Sequence, residues 1–457
     1  MSKYQRIAQR FIKDIQSGVL PPGSRMPSLR QLSQLHSVSL TTAVSCYQEL
    51  ESMGWVESRP QAGFFVKGHG ATLQTPTWAS FQSQVQTPST PQPSSPLSGP
   101  LGMSRLELDD SAVEQLNKSF RRGIRLSQPS LGEYPAPQGE LRLRNALAEH
   151  FSANGWQLSS SDLLITHGCL DAVRKALEAT TQPGDSVAIS SPCYNGLLTL
   201  LSELKRNIVE IPSHQDGVDL TQLEQHLKTN KIQAGLFCTT YMNPQGITMS
   251  TKQKQRLAEL ANQYQVPIIE DDIYLELGHQ SEAMLPASYF DTDGYMIWCG
   301  SVSKTLSPSL RLGWCRPGRY LASMLGKDYG VAVAMQYALA DFIQSGHYGK
   351  HLKRAQQRLN VTKQRYLNYL ATALPANARV SQPSGGLVLW IQIPGLDAPT
   401  LMADAKQQKL DVRGGHQFTA STRYRDCLRI NIGYEFDKVA SQLACLMTLI
   451  EQHIGAR

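Results

Sequence analysis

Apolar residues recur at helical spacing from the start of the chain. Ile7, Phe11, Ile12 and Ile15 lie on one face of residues 3–17, and Ser17-Gly18 predicts the stop. Ser28 is placed to cap a second helix, residues 29–36, with a stripe of Leu29, Leu32 and Leu35. After the turn Ser37-Val38-Ser39, Ser39 is placed to cap a third helix that runs to about Met53. Its Ala43, Cys46, Tyr47 and Leu50 would pack on the second. Two strand-like runs follow, 55–58 and 63–66, joined by Arg59-Pro60-Gln61-Ala62. Helix, helix–turn–helix and hairpin predict a winged helix-turn-helix. From about residue 104 the rhythm changes. Short apolar runs (163–166, 186–190, 235–238, 267–270 and 296–299) alternate with helical patterns such as 170–180 and 252–264. That alternation predicts an α/β domain on a largely parallel sheet.

The two patterns are separated by a stretch unlike either. Residues 71–102 carry no Asp, Glu, Lys or Arg and are rich in Pro, Ser, Thr and Gln. Such a composition predicts a flexible spacer over 69–103, dividing a head (1–68) from a large domain (104–457). The chain length of 457 residues agrees with more than one domain. No apolar run is long enough to cross a membrane, and the basic N-terminus lacks the apolar stretch of a secretory leader. The eight cysteines form no C-x-x-C pair, which argues against a zinc site or a disulfide framework and predicts a cytoplasmic protein without a bound metal.

A net charge of +7 permits nucleic-acid binding without requiring it. In the head the balance is sharper: eight Lys/Arg against four acids. In a winged helix the third helix enters the major groove, so its start (Ser39, Thr41, Thr42) would meet bases. Arg25, Ser28, Arg30, Arg59 and Gly63 would border the groove, the arginines at phosphates. The run PPGSRMPSLRQLSQLHSVSLTTAVSCYQELESMGWVESRPQAGFFV closely resembles the DNA-binding domain of the GntR family of bacterial regulators. That family commonly starts its recognition helix with Arg where Leu40 stands, which removes a typical guanine reader.

Reactive side chains of the large domain fall at the ends of its predicted strands, where open α/β sheets bind ligands. After 296–299 comes GSVSKTLSPSLRLGW. Lys304, once deprotonated, suits an imine to an aldehyde cofactor, and Arg311 suits the cofactor phosphate, helped by Ser301 and Ser303. Asp271 can keep a pyridine nitrogen protonated, while Tyr274 and Asn243 can reach the phenolic oxygen. Gly168 and Cys169 open a helix whose N-terminus can hold phosphate, Tyr194 can stack on the ring, and Arg429 can take a substrate carboxylate.

In this order the residues resemble the fold-type I aminotransferases, over roughly residues 130–435. The resemblance implies pyridoxal 5'-phosphate (PLP) with Lys304 as the Schiff-base lysine. It also matches Tyr134 to a tyrosine that reaches the phosphate of a neighbouring subunit. The segment before Tyr134 shows no clear match to the arm that covers substrate in many relatives. Winged helix, spacer and PLP domain together look like the MocR subgroup of GntR regulators. The implied protein is a homodimer with exchanged heads, bound to double-stranded operator DNA, with PLP or a small amino compound as effector. An active aminotransferase carrying a DNA-binding head, and a dimerisation scaffold without PLP, are the alternatives.

Overall fold

The computed structural model describes residues 2–16, 19–21, 23–59, 62–67, 73–87, 98–279, 284–325 and 330–455. In the head, α1 (Lys3–Gln16), α2 (Leu29–Leu35) and α3 (Leu40–Ser52) precede β1 (Val56–Arg59) and β2 (Gly63–Val66). Ser28 caps α2 in a reciprocal pair with Gln31, and Ser39 caps α3 by accepting from Thr42 N at 3.1 Å. Ile7, Phe11, Ile12 and Ile15 close over Leu32, Ala43, Cys46, Tyr47 and Leu50, all buried. β1 and β2 pair antiparallel, Val56 opposite Val66, and form the wing. The expected stripe on α2 needs one correction. Leu35 is 71% exposed, because α2 ends there and its last turn leaves the core. Ser17, Gly18, Pro60 and Gln61 lie outside the described residues.

Among the described residues, the large domain is built on a nine-stranded sheet whose central strands run parallel. In spatial order these are Asn207–His214, Ser186–Ser191, Ala234–Phe237, Ile268–Asp271 and Met296–Ser301. Gly313–Arg316 and Leu164–Thr166 complete one side antiparallel. Each predicted strand is present, its ends displaced by no more than a residue or two, and the helices Cys169–Thr180 and Thr251–Tyr264 fall where periodicity put them. Burial on both faces explains the near-continuous apolar runs. A second, antiparallel sheet joins Arg379–Val380, Val388–Gln392, Cys427–Asn431 and Arg413–Gly414. It packs with the helices His347–Ala373 and Phe436–Gly455 in a separate apolar cluster.

The expected spacer is where expectation and structure part. Residues 73–87 lie along the large domain. Gln74 accepts from Val380 N (2.8 Å), Thr77 N donates to Gln392 (2.9 Å), and Val85–Gln86 pairs with the edge strand Asn207–His214. Phe81 stacks on Arg423, which pairs with the buried Glu210 at 3.2 Å. Residues 98–103 also join the fold, with Leu101 fully buried. An uncharged segment can satisfy its backbone on an open sheet edge, an option that composition alone does not reveal. Residues 68–72 and 88–97 lie outside the described ones.

The head sits against its own large domain. Val361 of the helix His347–Ala373 packs on the head's core, and Asn368 Nδ2 donates to the Met53 carbonyl at 3.3 Å. The start of α3 stays clear of this contact.

Candidate functional site

Strand ends converge on one cavity. Its lining includes Cys169, Tyr194, Asn243, Asp271, Tyr274, Ser303, Lys304 and Arg311, predicted residues drawn from five separate segments. Lys304 follows the strand Met296–Ser301 and is partly buried. Burial, followed by the nearby Arg429 guanidinium, pulls its amine down to about 8, against the ordinary lysine value of 10.5. Asp271 ends the neighbouring parallel strand. It accepts from the Cys169 thiol at 3.0 Å; burial raises its carboxyl, opposed by that thiol and by Lys304.

The phosphate end is shaped by backbone. Gly168 caps the helix Cys169–Thr180 at φ +94°, a left-handed conformation that glycine adopts freely. A Cβ there would come within 3.1 Å of the Arg311 guanidinium. Arg311, itself at φ +48°, donates to the His167 carbonyl at 3.1 Å and lies beside the helix N-terminus. Ser303 lines the cavity. Ser301 stands one step behind, its hydroxyl 2.8 Å from that of Ser303 and 3.0 Å from the Leu312 carbonyl. It braces Ser303 and the strand end.

Arg429 is buried in the second sheet, directly opposite Arg413 in register. Burial draws its guanidinium down to about 10. Sequence reasoning missed both Arg413 and the occupant of this corner, the segment 98–106. The Gly102 carbonyl accepts from Arg429 and from Arg413 (3.4 Å). The Ser104 carbonyl accepts from Lys304 Nζ at 2.7 Å, and the Ser104 hydroxyl lies 3.0 Å from that of Tyr274. Asp411 pairs with Arg413 at 3.1 Å and accepts from Gly99 N at 2.9 Å. Asn431 N donates to the Leu101 carbonyl, fixing the strap against the sheet. No periodicity marks such a strap, and only the strand register brings Arg413 to Arg429. Tyr134 stands apart, 93% exposed on the surface.

In the head, Ser28 and Ser39 use their hydroxyls as caps, and Thr42 bonds Ser39 at 2.9 Å. Arg30 and Thr41 are exposed. Arg25 bridges to Phe65 of the wing, beside Gly63 at φ +97°. Arg59 pairs with Glu57 at 2.7 Å and lies 4.4 Å from the Phe65 ring.

Residues 100–441 match the family model of aminotransferase class I and II, and residues 3–66 that of bacterial regulatory proteins, gntR family. The chain belongs to the GntR-type regulators that carry a class I and II aminotransferase domain. Its relatives include two HTH-type transcriptional regulators of Escherichia coli. YjiR is 30% identical over 94% of this chain and 95% of its own length; YdcR is 30% identical over 97% of each. The multiple substrate aminotransferase of Thermococcus profundus shares the fold of the large domain, with a TM-score of 0.71 and 22% identity over 79% of this chain and 93% of that one.

This GntR-type regulator thus has a large domain of the kind that binds PLP. Its residues fit the cofactor: the buried Asn243 Oδ1 lacks a hydrogen-bond partner and lines the same cavity as Lys304 and Asp271. Lys304 would hold PLP covalently, with Asp271 at the ring nitrogen, Asn243 and Tyr274 at the phenolic oxygen, and Arg311, Ser303 and the Gly168–Cys169 backbone at the phosphate. Bound there, PLP supplies a carbonyl that reacts with amines and a ring that withdraws electrons. No helix among the described residues is long and apolar enough to cross a membrane.

Proposed function

We propose that this protein senses an amino compound at its PLP site and transmits the binding to operator DNA through the segment that connects its two domains. The carrying observation is the path of residues 98–106. The chain that joins head to large domain passes through the corner where an amino acid would be held, with main-chain carbonyls on Arg429, Arg413 and Lys304. An effector carboxylate has better complementarity to two arginines than one carbonyl does, so its binding competes with the strap. A ligand shifts a conformational equilibrium only by such differential affinity.

The functional unit in this reading is a homodimer in the cytoplasm. Ile124, Leu131, Tyr134 and Leu141, between residues 124 and 141, are 59, 79, 93 and 56% exposed, apolar surface that a second copy would cover. Tyr134 would then reach the partner's phosphate site. Exchange of heads across that dimer would replace the contact at Val361 and Asn368 by the same contact in trans.

The rival reading, an aminotransferase with an attached head, makes a different prediction. Titrating the PLP-loaded protein with amino acids and amines should shift the visible absorbance of the Lys304-bound cofactor without sustained turnover when an oxo-acid is supplied. Steady product formation would favour the enzyme.

A further inference from the structure

The reading face of α3 carries an unusual chemistry. Its buried side is Ala43, Cys46, Tyr47 and Leu50. Its exposed flank presents Leu40, 52% exposed, and Val44, 36% exposed, one turn apart, with exposed Thr41 beside them and exposed Gln48 a turn further on. α3 contains no Lys, Arg or His. Its acids, Glu49 and Glu51, lie in the last turns, where Glu51 accepts from Ser58 N at 2.9 Å. The bordering charges are mostly basic: Arg30 on α2, with Arg25 and Arg59 at the wing, the last paired with Glu57 at 2.7 Å. A methyl-rich strip is thus set in a positively charged rim, at the end of α3 where the helix dipole is also positive.

That combination fits one occupant. The rim complements phosphates, and among base edges in the major groove only thymine offers a methyl group. Guanine is normally read by a charged fork, which this strip lacks, whereas a Gln amide at position 48 suits adenine. We infer that Leu40 and Val44 read thymine methyl groups, making this a regulator of T·A-marked half-sites whose specificity is largely apolar. The inference rests on the DNA-binding reading of the head and deepens it by naming the bases.

The test uses the full PLP-loaded chain and a random duplex library. Selection should enrich half-sites with T·A pairs at fixed positions. Those duplexes are then remade with deoxyuridine in place of thymine, one position at a time, which removes only the methyl. Each contacted position should lose roughly fourfold in affinity, the effect of about one buried CH₂-sized group. In Leu40→Ala and Val44→Ala the thymine/uracil ratio at one position each should fall to about one. This ratio is internal to each variant, so a general loss of affinity does not imitate it. Leu40→Arg should shift the enriched base there from T to G.

Equal affinity for thymine and uracil duplexes at every selected position would overturn the inference while leaving sequence-specific DNA binding intact. A Leu40→Ala protein that still discriminates would overturn it too. If no sequence is enriched and no salt-dependent duplex binding is found, the DNA-binding reading itself falls. Leu40→Ala altering self-association, with the thymine/uracil ratio unchanged, would assign the strip to protein contact and count against the inference.

Discussion

The head and the large domain use charge in opposite ways. Around the head's groove-facing side, Arg30 is exposed and Arg59 is half-exposed in a surface pair with Glu57. In the large domain, Asp271 and Arg429 are buried and Lys304 beside them is partly buried, and the ordinary ionisation of each is displaced. Exposed charges act almost independently and are screened by salt, so each carries a modest share of binding. Buried charges set one another's state, so loss of one disables the group. Substitutions should therefore be graded in the head and close to all-or-none in the pocket.

The largest effect expected is at Lys304. Lys304→Ala should abolish PLP trapped by borohydride, read by mass spectrometry. Reduced PLP attached at another lysine would break the assignment.

Next is the strap. A Cβ at Gly102 would lie 2.1 Å from the Asp411 carboxyl carbon, so Gly102→Ala must move the strap or Asp411. If the strap carries the signal, this variant's operator affinity should resemble that of the effector-bound protein, with little further response to amino compounds. An unchanged response would separate strap from signal.

The pH dependence of PLP capture sharpens the pocket side. Only the neutral amine captures the cofactor, so capture should accelerate as pH rises and level off above about 8, where Lys304 has lost its proton. An ordinary lysine would be only roughly 0.3% neutral at that pH. Arg429→Leu removes a cation that favours the neutral form and should move the midpoint upward.

The smallest effect belongs to the head. Arg30→Ala should weaken operator binding several-fold and reduce the slope of log K against log salt by about 0.9, one phosphate contact. Unchanged slopes in both Arg30→Ala and Arg59→Ala would remove these residues from the interface.

The same contrast governed what could be read from the chain. The head's elements are local: caps at Ser28 and Ser39 and the 43/46/47/50 face are short-range patterns, and all are present. The pocket residues were legible because each sits at the end of an apolar run, although the chain brings them together over long separations. Arg413 was not, because only antiparallel register with Arg429 places it. The strap was misread for a different reason. A Pro- and Ser-rich segment has no apolar period, yet Leu101 and a row of main-chain carbonyls suffice to seat it. Hydrogen bonding by backbone leaves no trace in side-chain pattern.

The central claim is that the pocket and the head are coupled. It is tested most directly by operator affinity of the full chain, with and without PLP, across a panel of amino acids and amines. The account predicts that at least one compound, with PLP bound, changes affinity by about 5- to 150-fold, the usual range of coupling between sites. Linkage then requires operator DNA to change that compound's affinity by the same factor. Operator affinity unmoved by PLP and by every compound, alongside steady transamination, would contradict it and make this protein an enzyme with an attached head.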